Sequence, residues 1–168
     1  FPAAEQTIIV IGETTGWLGA SAYLAEIEKR DEGAPPPVDL ALERRNGDFV
    51  RGCIHDGSVT ACHDVSDGGL IVAIAEMAMA GNLGASIAMR DDRVPADAWL
   101  IGEERGRYVV TTENPDKLLK EADKAGVGAM VLGRTGGASL AVQSAYTISI
   151  DKLRTAHEAW LPGYMTMA

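Results

Sequence analysis

The sequence has little positive charge and no long apolar segment. Its 168 residues include 15 Lys and Arg against 24 Asp and Glu, which gives a formal net charge of −9. Binding to nucleic acid or to an anionic membrane depends on clustered Lys and Arg, so the composition argues against both partners. No apolar run reaches the roughly 18 residues of a membrane span, and no basic segment followed by an apolar one forms a signal peptide.

Cysteine is scarce, and two common nucleotide-binding motifs are missing. Cys53 and Cys62 lack the Cys-x-x-Cys spacing of zinc sites, and two cysteines do not make a disulfide framework. We therefore expect a reducing, cytoplasmic setting. The sequence contains neither a Gly-x-Gly-x-x-Gly motif nor a Walker lysine, which excludes the standard dinucleotide and P-loop sites.

The composition that remains is that of a globular domain. Hydrophobic residues make up 46% and charged residues 23%, close to the averages of soluble proteins and far from those of disordered, collagenous or coiled-coil chains. The length suits a single domain over residues 1–168. An apolar run follows soon after Phe1, so we expect a domain excised from a longer protein.

Strand and helix signals alternate along the chain without a strict βαβ period. We therefore predict an α/β or α+β fold in which one mixed sheet is covered by helices. The predicted strands are 7–13, 58–64, 83–90, 107–112 and 128–137, followed by a hairpin over 139–150. The predicted helices are 21–31, 41–57 with a break at 46–47, 69–81, 95–100, 115–125 and 151–160.

Several helix ends carry their own signals. Ser21, Asp39 and Asp151 are predicted N-caps, because their side chains can accept bonds from the first free N–H groups of a helix. Pro162 is predicted to lie beyond the end of the last helix. A triple proline at 35–37 predicts a stiff, extended connector.

The stretch CHDVSDGGLIVAIAEMAMAG combines a strand, a turn and a helix. Asp64 falls at the carboxyl end of the strand, where α/β sheets bind ligands. A carboxylate there repels phosphate unless a divalent cation bridges the two, and Mg²⁺ accepts one or two carboxylates plus phosphate oxygens. Asp64 is therefore the candidate Mg²⁺ ligand. Ser66 or Asp67 is predicted to cap the helix, and His63 is either a weak candidate base or a structural residue.

Two further motifs hold polar groups. In GEERGRY, the residues Glu103, Glu104 and Arg105 form either a surface ion-pair cluster or a substrate-binding or nucleotide-binding patch, since Arg suits bidentate contacts with phosphate. In GETTGWLGASAYL, Gly16 and Gly19 permit a tight loop before an anion-receptive helix start.

Four motifs together resemble a known family. GETTGWLGASAYL, PPPVDLALERRNGDFVRGCI, HDVSDGGLIVAIAEMA and GEERGRYVV are similar, in order and spacing, to the C-terminal domain of phosphoribosylformylglycinamidine synthase. The resemblance implies a domain of the aminoimidazole-ribonucleotide-synthetase type, the last in an enzyme of two pseudo-symmetric halves. It also implies partners: the other domains of the same chain, a glutaminase subunit and a small accessory subunit.

The resemblance also implies an enzymatic activity and roles for Asp64 and residues 103–105. The family uses ATP, Mg²⁺ and glutamine-derived ammonia to convert formylglycinamide ribonucleotide into its amidine. Asp64 matches a Mg²⁺ ligand of the family's first half, and 103–105 match a Glu-Ser-Gln run that touches substrate there. Arg105 stands where the family's first half has glutamine, and this difference puts substrate binding at this patch in doubt. The family's catalytic residues lie in other domains, so we expect no catalytic residue here and an inactive isolated chain.

Two alternatives remain from the sequence. The chain could belong to another member of the same superfamily, such as aminoimidazole ribonucleotide synthetase, selenophosphate synthetase or thiamine-monophosphate kinase. It could also be a non-catalytic module that only mediates association.

Overall fold

A computed structural model describes residues 1–88, 94–143 and 145–166. These residues form one mixed sheet with helices on both faces. The strands are β1 Thr7–Ile11, β2 Ala61–Asp64, β3 Ala85–Ile87, β4 Tyr108–Thr112, β5 Ala129–Thr135, β6 Ser139–Val142 and β7 Tyr146–Ser149. The helices are α1 Leu40–His55, α2 Gly69–Gly81, α3 Ala96–Ile101, α4 Pro115–Lys124 and α5 Ile150–Thr166, with a π-helical turn at Tyr23–Ile27.

The seven described strands lie in the order β2-β4-β1-β5-β3-β6-β7. All neighbouring pairs are antiparallel except β3 and β6, which are parallel. The prediction of one mixed sheet covered by helices is therefore confirmed.

Each face of the sheet has its own apolar core. Strand β1 is buried along its whole length, and alternate residues serve opposite faces: Ile8 and Val10 point to one core, Ile9 and Ile11 to the other. Helices α2 and α3 cover the larger core, and α1 and α4 cover the smaller one. This division explains why β1 is continuously apolar rather than alternating.

The predicted elements are largely present, with shorter strands. The strand predicted over 58–64 is paired only from Ala61, and the one predicted over 83–90 is paired at Ala85–Ile87, with residues 89–90 outside the described part of the chain. Helix α2 has the predicted bounds, Pro115 is the first residue of α4 as predicted, and β6 and β7 form the predicted hairpin.

The predicted break in the second helix is wrong. Helix α1 runs unbroken through Asn46 and Gly47. Asn46 is 1% exposed, and its Nδ2 donates to the Gly106 carbonyl at 2.9 Å. A long-range contact therefore outweighs the weak helix propensity of the Asn-Gly pair.

The predicted bounds of the last helix are also wrong. Helix α5 contains Pro162 instead of ending before it. A proline removes one hydrogen bond of the helix, and the stacked rings of Trp160 and Tyr164, with centroids 5.5 Å apart, lie on either side of it. Asp151 lies within the first turn, and the Ser149 hydroxyl accepts the capping bond from the Lys152 N–H at 3.2 Å.

The helix predicted over 21–31 is wrong, because the structure has only a π-helical turn at Tyr23–Ile27, whose N-cap is Ala22 without a side-chain cap. Ser21 is therefore not the predicted N-cap, although its hydroxyl accepts from the Leu24 N–H at 3.3 Å. The predicted cap at Asp39 is confirmed. The Asp39 carboxylate accepts from the N–H groups of Ala41 and Leu42, both at 3.0 Å. Asp39 therefore satisfies two of the unpaired donors at the start of α1.

Replacing Asp39 with alanine is expected to lower the free energy of unfolding by about 1 kcal/mol, because both capping bonds are lost. For a chain of this size the melting temperature should fall by roughly 2–4 °C, measurable by thermal denaturation. Asp39→Asn, which keeps a capping oxygen, is the control and should stay within a few tenths of a kcal/mol. Equal losses in both variants would contradict the capping role.

The helices of the described residues include none that combines the length and apolar character needed to cross a membrane.

Candidate functional site

A polar cleft of about 350 Å³ opens where β2 ends and β4 begins. It is walled by the proline connector, by α1, by the turn between β2 and α2, and by the segment before β4. The cleft brings together Asp64, Asp67, Glu103 and Arg105, which the sequence places in two separate motifs. The residues that line it include the acidic Glu43, Asp64, Asp67 and Glu103 and the basic Arg105 and Arg107.

Asp64 has an exposed carboxylate at the strand end where the sequence predicted it. It is the last residue of β2, and 70% of its side chain is exposed. His63 does not line the cleft. Its Nε2 lies 3.1 Å from the Glu76 carboxylate and its Nδ1 2.6 Å from the Asp64 carbonyl oxygen, so both ring nitrogens have protein neighbours. This geometry matches the structural interpretation of His63.

The residues around Asp64 suit Mg²⁺ only if the ion also binds phosphate. Among the described residues, no group of three or more His, Cys, Asp or Glu side chains is placed to hold a metal ion. Mg²⁺ commonly keeps several waters and binds proteins through one or two carboxylates together with substrate phosphates. Asp64 therefore fits the role of a single protein ligand to a phosphate-bound ion, and it does not form a metal cage.

The predicted capping of α2 by Ser66 or Asp67 is wrong. The residue before the helix is Gly68, with φ of 79°, and no local side chain caps it. Glu103 bonds instead to the turn before the helix: its Oε1 accepts from the Gly68 N–H at 2.8 Å and from the Ala22 N–H at 2.9 Å. Asp67 is thereby left as part of the cleft lining.

Glu104 holds the loop after β1. Its Oε1 accepts three bonds, from the Thr15 N–H at 2.7 Å, the Thr15 hydroxyl at 2.9 Å and the Trp17 N–H at 2.9 Å. Its Oε2 lies 2.7 Å from Nη2 of Arg107, with which it forms a buried ion pair. The Glu104 carboxylate is therefore committed to the GETTG loop rather than to the cleft.

Arg107 completes this buried arrangement. Only 1% of it is exposed, and it donates to the Thr14 hydroxyl at 3.0 Å and to the Gly102 carbonyl at 2.5 Å. Burial alone would raise the pKa of Glu104, but the Arg107 charge and the bonds from Trp17 and Thr15 outweigh it and lower that pKa. Burial also lowers the pKa of Arg107, against the opposing effect of Glu104.

The sequence did not indicate that neighbouring residues in GEERGRY make different contacts. Glu103 bonds to the turn before α2, Glu104 and Arg107 hold the GETTG loop, and Arg105 is exposed and lines the cleft. Glu104 and Arg107 are three residues apart, and this spacing was the one indication in the sequence that they could form an ion pair. Nothing in the sequence indicated that this pair would be buried.

The fold and the cleft define the class of protein: an α/β domain with a polar site at the strand-end edge of a mixed sheet. The chain belongs to the family described as AIR synthase related protein, C-terminal domain, whose sequence profile matches residues 3–143.

The chain is also similar to curated relatives along almost its whole length. It is 52% identical over 167 residues to phosphoribosylformylglycinamidine synthase subunit PurL of Rhodopseudomonas palustris strain BisA53. It is 51% identical over 164 residues to the subunit of the same name from Caulobacter vibrioides. Each match covers 98% of this chain but only 23% and 22% of the relative, so the chain spans less than a quarter of these proteins.

Solved structures share the fold at low identity. A structure titled "T. maritima PurL complexed with FGAR" matches with a TM-score of 0.75 and 20% identity, over 90% of this chain and 28% of that one. The complex with ATP matches with a TM-score of 0.71 and 19% identity, over 91% and 26%. Thiamine-monophosphate kinase from Stenotrophomonas maltophilia matches with a TM-score of 0.55 and 17% identity, over 84% and 51%. At these low identities, the matches show only that the folds are similar.

Proposed function

We propose that this chain is a single C-terminal domain of an ATP-dependent ligase of de novo purine biosynthesis, phosphoribosylformylglycinamidine synthase. The ligase converts formylglycinamide ribonucleotide, ATP and glutamine-derived ammonia to formylglycinamidine ribonucleotide, ADP and phosphate. The observation that carries the proposal is the identity of about half of all residues to PurL subunits along 98% of the chain. The low-identity structural match to thiamine-monophosphate kinase supports a shared fold and does not favour that activity.

The setting of the domain is part of the proposal. Because the matched relatives are more than four times longer, the chain is proposed to work beside other domains of the same polypeptide. One structural relative is titled "Structure of PurLQS from Thermotoga maritima", which supports a complex with a glutaminase subunit and a small accessory subunit. The end of α5 exposes Trp160, Leu161 and Tyr164, a surface suited to such packing. We place the assembly in the cytoplasm.

The cleft is proposed to hold a Mg²⁺-bound nucleotide phosphate. Asp64 would be the protein ligand to the ion, and Arg105 would contact phosphate oxygens, for which a guanidinium is well shaped. When bound, Mg²⁺ neutralises the phosphate charge that the cleft carboxylates would otherwise repel. Glu104 and Arg107 shape the adjoining loop without touching the ligand. No residue of this chain is assigned a catalytic step, and the isolated chain is proposed to be inactive.

Asp64→Asn in the longer enzyme is expected to weaken binding of Mg²⁺-ADP at least tenfold, because the neutral amide is a much poorer Mg²⁺ ligand. Isothermal titration calorimetry with and without Mg²⁺ measures the effect. Asp67→Asn is the matched control from the same cleft and should change affinity far less. Unchanged Mg²⁺-ADP affinity in Asp64→Asn would rule out this metal site.

The inactivity of the isolated chain is tested separately. Turnover of formylglycinamide ribonucleotide with ammonia and ATP should be undetectable for the 168 residues and measurable for the longer enzyme. Turnover by the chain approaching that of the longer enzyme would disprove the inactivity claim.

A further inference from the structure

A second, smaller cavity of about 210 Å³ lies between the start of α1 and the proline connector. It shares Glu43 and Arg105 with the lining of the polar cleft but extends to the other side of them, toward the GETTG loop. The proline connector and Leu42 supply apolar walls. Its charged lining residues are four acidic and one basic: Glu13, Asp39, Glu43, Glu104 and Arg105. The cavity therefore combines apolar walls with an excess of negative charge.

Two buried acceptor atoms in this lining have no hydrogen-bond partner within the described part of the chain. They are Oε1 of Glu43 and Oδ1 of Asn46. Buried polar atoms in native proteins nearly always have a partner, so each of these two oxygens calls for a donor. Glu43 and Asn46 are three residues apart in α1 and lie on the same face of the helix. One ligand group can therefore reach both oxygens.

Asn46 gives the strongest indication that the cavity binds a ligand. The residue is only 1% exposed, although it lies in a helix at the surface of the sheet. Its Nδ2 already donates to the Gly106 carbonyl at 2.9 Å, and turning the amide over would break that bond. The atom that Asn46 leaves available is therefore the acceptor Oδ1, and the missing partner must be a hydrogen-bond donor.

We propose that this cavity binds a guanidinium group on a short apolar stem, whose N–H groups donate to Glu43 Oε1 and Asn46 Oδ1. A guanidinium has several N–H donors in one plane and no acceptor, which suits two unpaired acceptors and an acidic lining. It is also more weakly hydrated than an ammonium group, so a partly apolar cavity admits it at lower cost. Arg105 carries the one like charge in the lining, and its side chain is exposed to solvent, which screens that charge.

The group comes from one of two sources, a free alkylguanidinium compound or an arginine side chain of the longer protein. In both cases the recognition chemistry is the same. The inference goes beyond the proposed function, because binding of a guanidinium here requires neither Mg²⁺ nor a nucleotide.

The test is an NMR titration of the chain with butylguanidinium in the absence of Mg²⁺ and nucleotide. We expect saturable binding at millimolar concentration, and the side-chain amide resonances of Asn46 should shift. Butylurea, which has a similar shape but no charge, should bind at least tenfold more weakly. Butylammonium should also bind more weakly, because its donors radiate from one atom. No binding of butylguanidinium, which would leave a cavity filled only by water, or equal affinity for either analogue would overturn the proposal.

Glu43→Gln separates recognition by the cavity from general attraction to an acidic chain. The substitution keeps the shape of the side chain and removes its charge, so butylguanidinium should bind about tenfold more weakly. Asp48→Asn is the matched control, because it removes one negative charge from the same helix outside the cavity lining, and it should leave the affinity nearly unchanged. Equal losses in the two variants, or no loss in Glu43→Gln, would contradict the proposal. If Glu43→Gln does not fold, the analogue series and the Asn46 shifts in the unsubstituted chain decide.

The same titration of the longer enzyme identifies the source of the group. Binding by both proteins supports a free ligand, and binding by the 168-residue chain alone supports an arginine of another domain that already fills the cavity. This comparison rests on the proposed function, whereas the titration of the chain does not. Since Mg²⁺-ADP affinity in Asp64→Asn tests the cleft separately, either proposal can fail without the other.

Discussion

Replacing Arg107 with methionine is expected to lower the free energy of unfolding by about 3–5 kcal/mol, the range for removing one partner of a buried ion pair. Arg107 is 1% exposed and Glu104 is 9% exposed, with 2.7 Å between Nη2 and Oε2. The substitution leaves the Glu104 carboxylate buried without its counter-charge. It also removes the donor to the Thr14 hydroxyl, so the GETTG loop should loosen.

The loss should depend on pH in a defined direction. The pKa of Glu104 is lowered below its ordinary value of 4.5 in the folded chain, so its contribution to stability is present above pH 4.5 and lost as the pH falls through the lowered pKa. Without Arg107, the charge that most strongly lowers the pKa of Glu104 against the effect of burial is lost, so that pKa should rise and protonation should then relieve the unpaired charge. The deficit of Arg107→Met should therefore be largest near pH 7 and shrink toward pH 4, as measured by urea denaturation.

A double variant provides the control. Glu104→Gln combined with Arg107→Met leaves no buried charge, so it should be more stable than Arg107→Met alone. A loss below about 1 kcal/mol for Arg107→Met at pH 7 would show that the pair contributes no more than an exposed ion pair.

Gly133→Ala is the second substitution with a large expected effect. Gly133 lies in β5, where a Cβ atom would come within 1.9 Å of the Ser86 carbonyl oxygen and 2.9 Å of the Ile87 Cα. Both atoms belong to the backbone of β3, the neighbouring strand, and cannot rotate away. We expect a loss of about 3 kcal/mol, at the upper end of the usual cost of overpacking, measured by chemical denaturation.

Gly52→Ala is the matched control. Gly52 lies exposed within α1, and a Cβ there meets nothing within 4 Å. The same chemical change should therefore raise stability by about 0.5–1 kcal/mol, because alanine favours the helix. Similar effects at both positions would refute the argument that close backbone contact makes Gly133 necessary.

The elements most accurately predicted are those whose signals are local and strong. The apolar run between Gly69 and Gly81 predicted α2 with its observed bounds, and Pro115 predicted the first residue of α4. Asp39 lies next to the donors that it caps, so its role was readable from neighbouring residues. In contrast, Asn46 and Pro162 carry local signals for a break or an end that distant or flanking contacts outweigh.

The sequence predicted which residues belong to the candidate site, but it did not predict how they are placed relative to one another. The motifs HDVSDGG and GEERGRY named Asp64, Glu103 and Arg105, and the antiparallel pairing of β2 with β4 places Asp64 opposite Tyr108, at the end of the GEERGRY segment. That register is a property of the sheet, so no motif read alone could bring the two groups together. The Mg²⁺ role of Asp64 stays a prediction.

The sequence by itself determined the class of fold, the order of most helices and strands, and the family, because periodicity, caps and motifs are encoded in neighbouring residues. Only the tertiary structure decided which partners each of the adjacent residues Glu103 and Glu104 contacts. Glu103 reaches the turns at Ala22 and Gly68, whereas Glu104 turns inward to Arg107 and Thr15. The physical reason is that a carboxylate pairs with the donors that folding brings within 3 Å, and those donors lie up to 89 residues away in the chain.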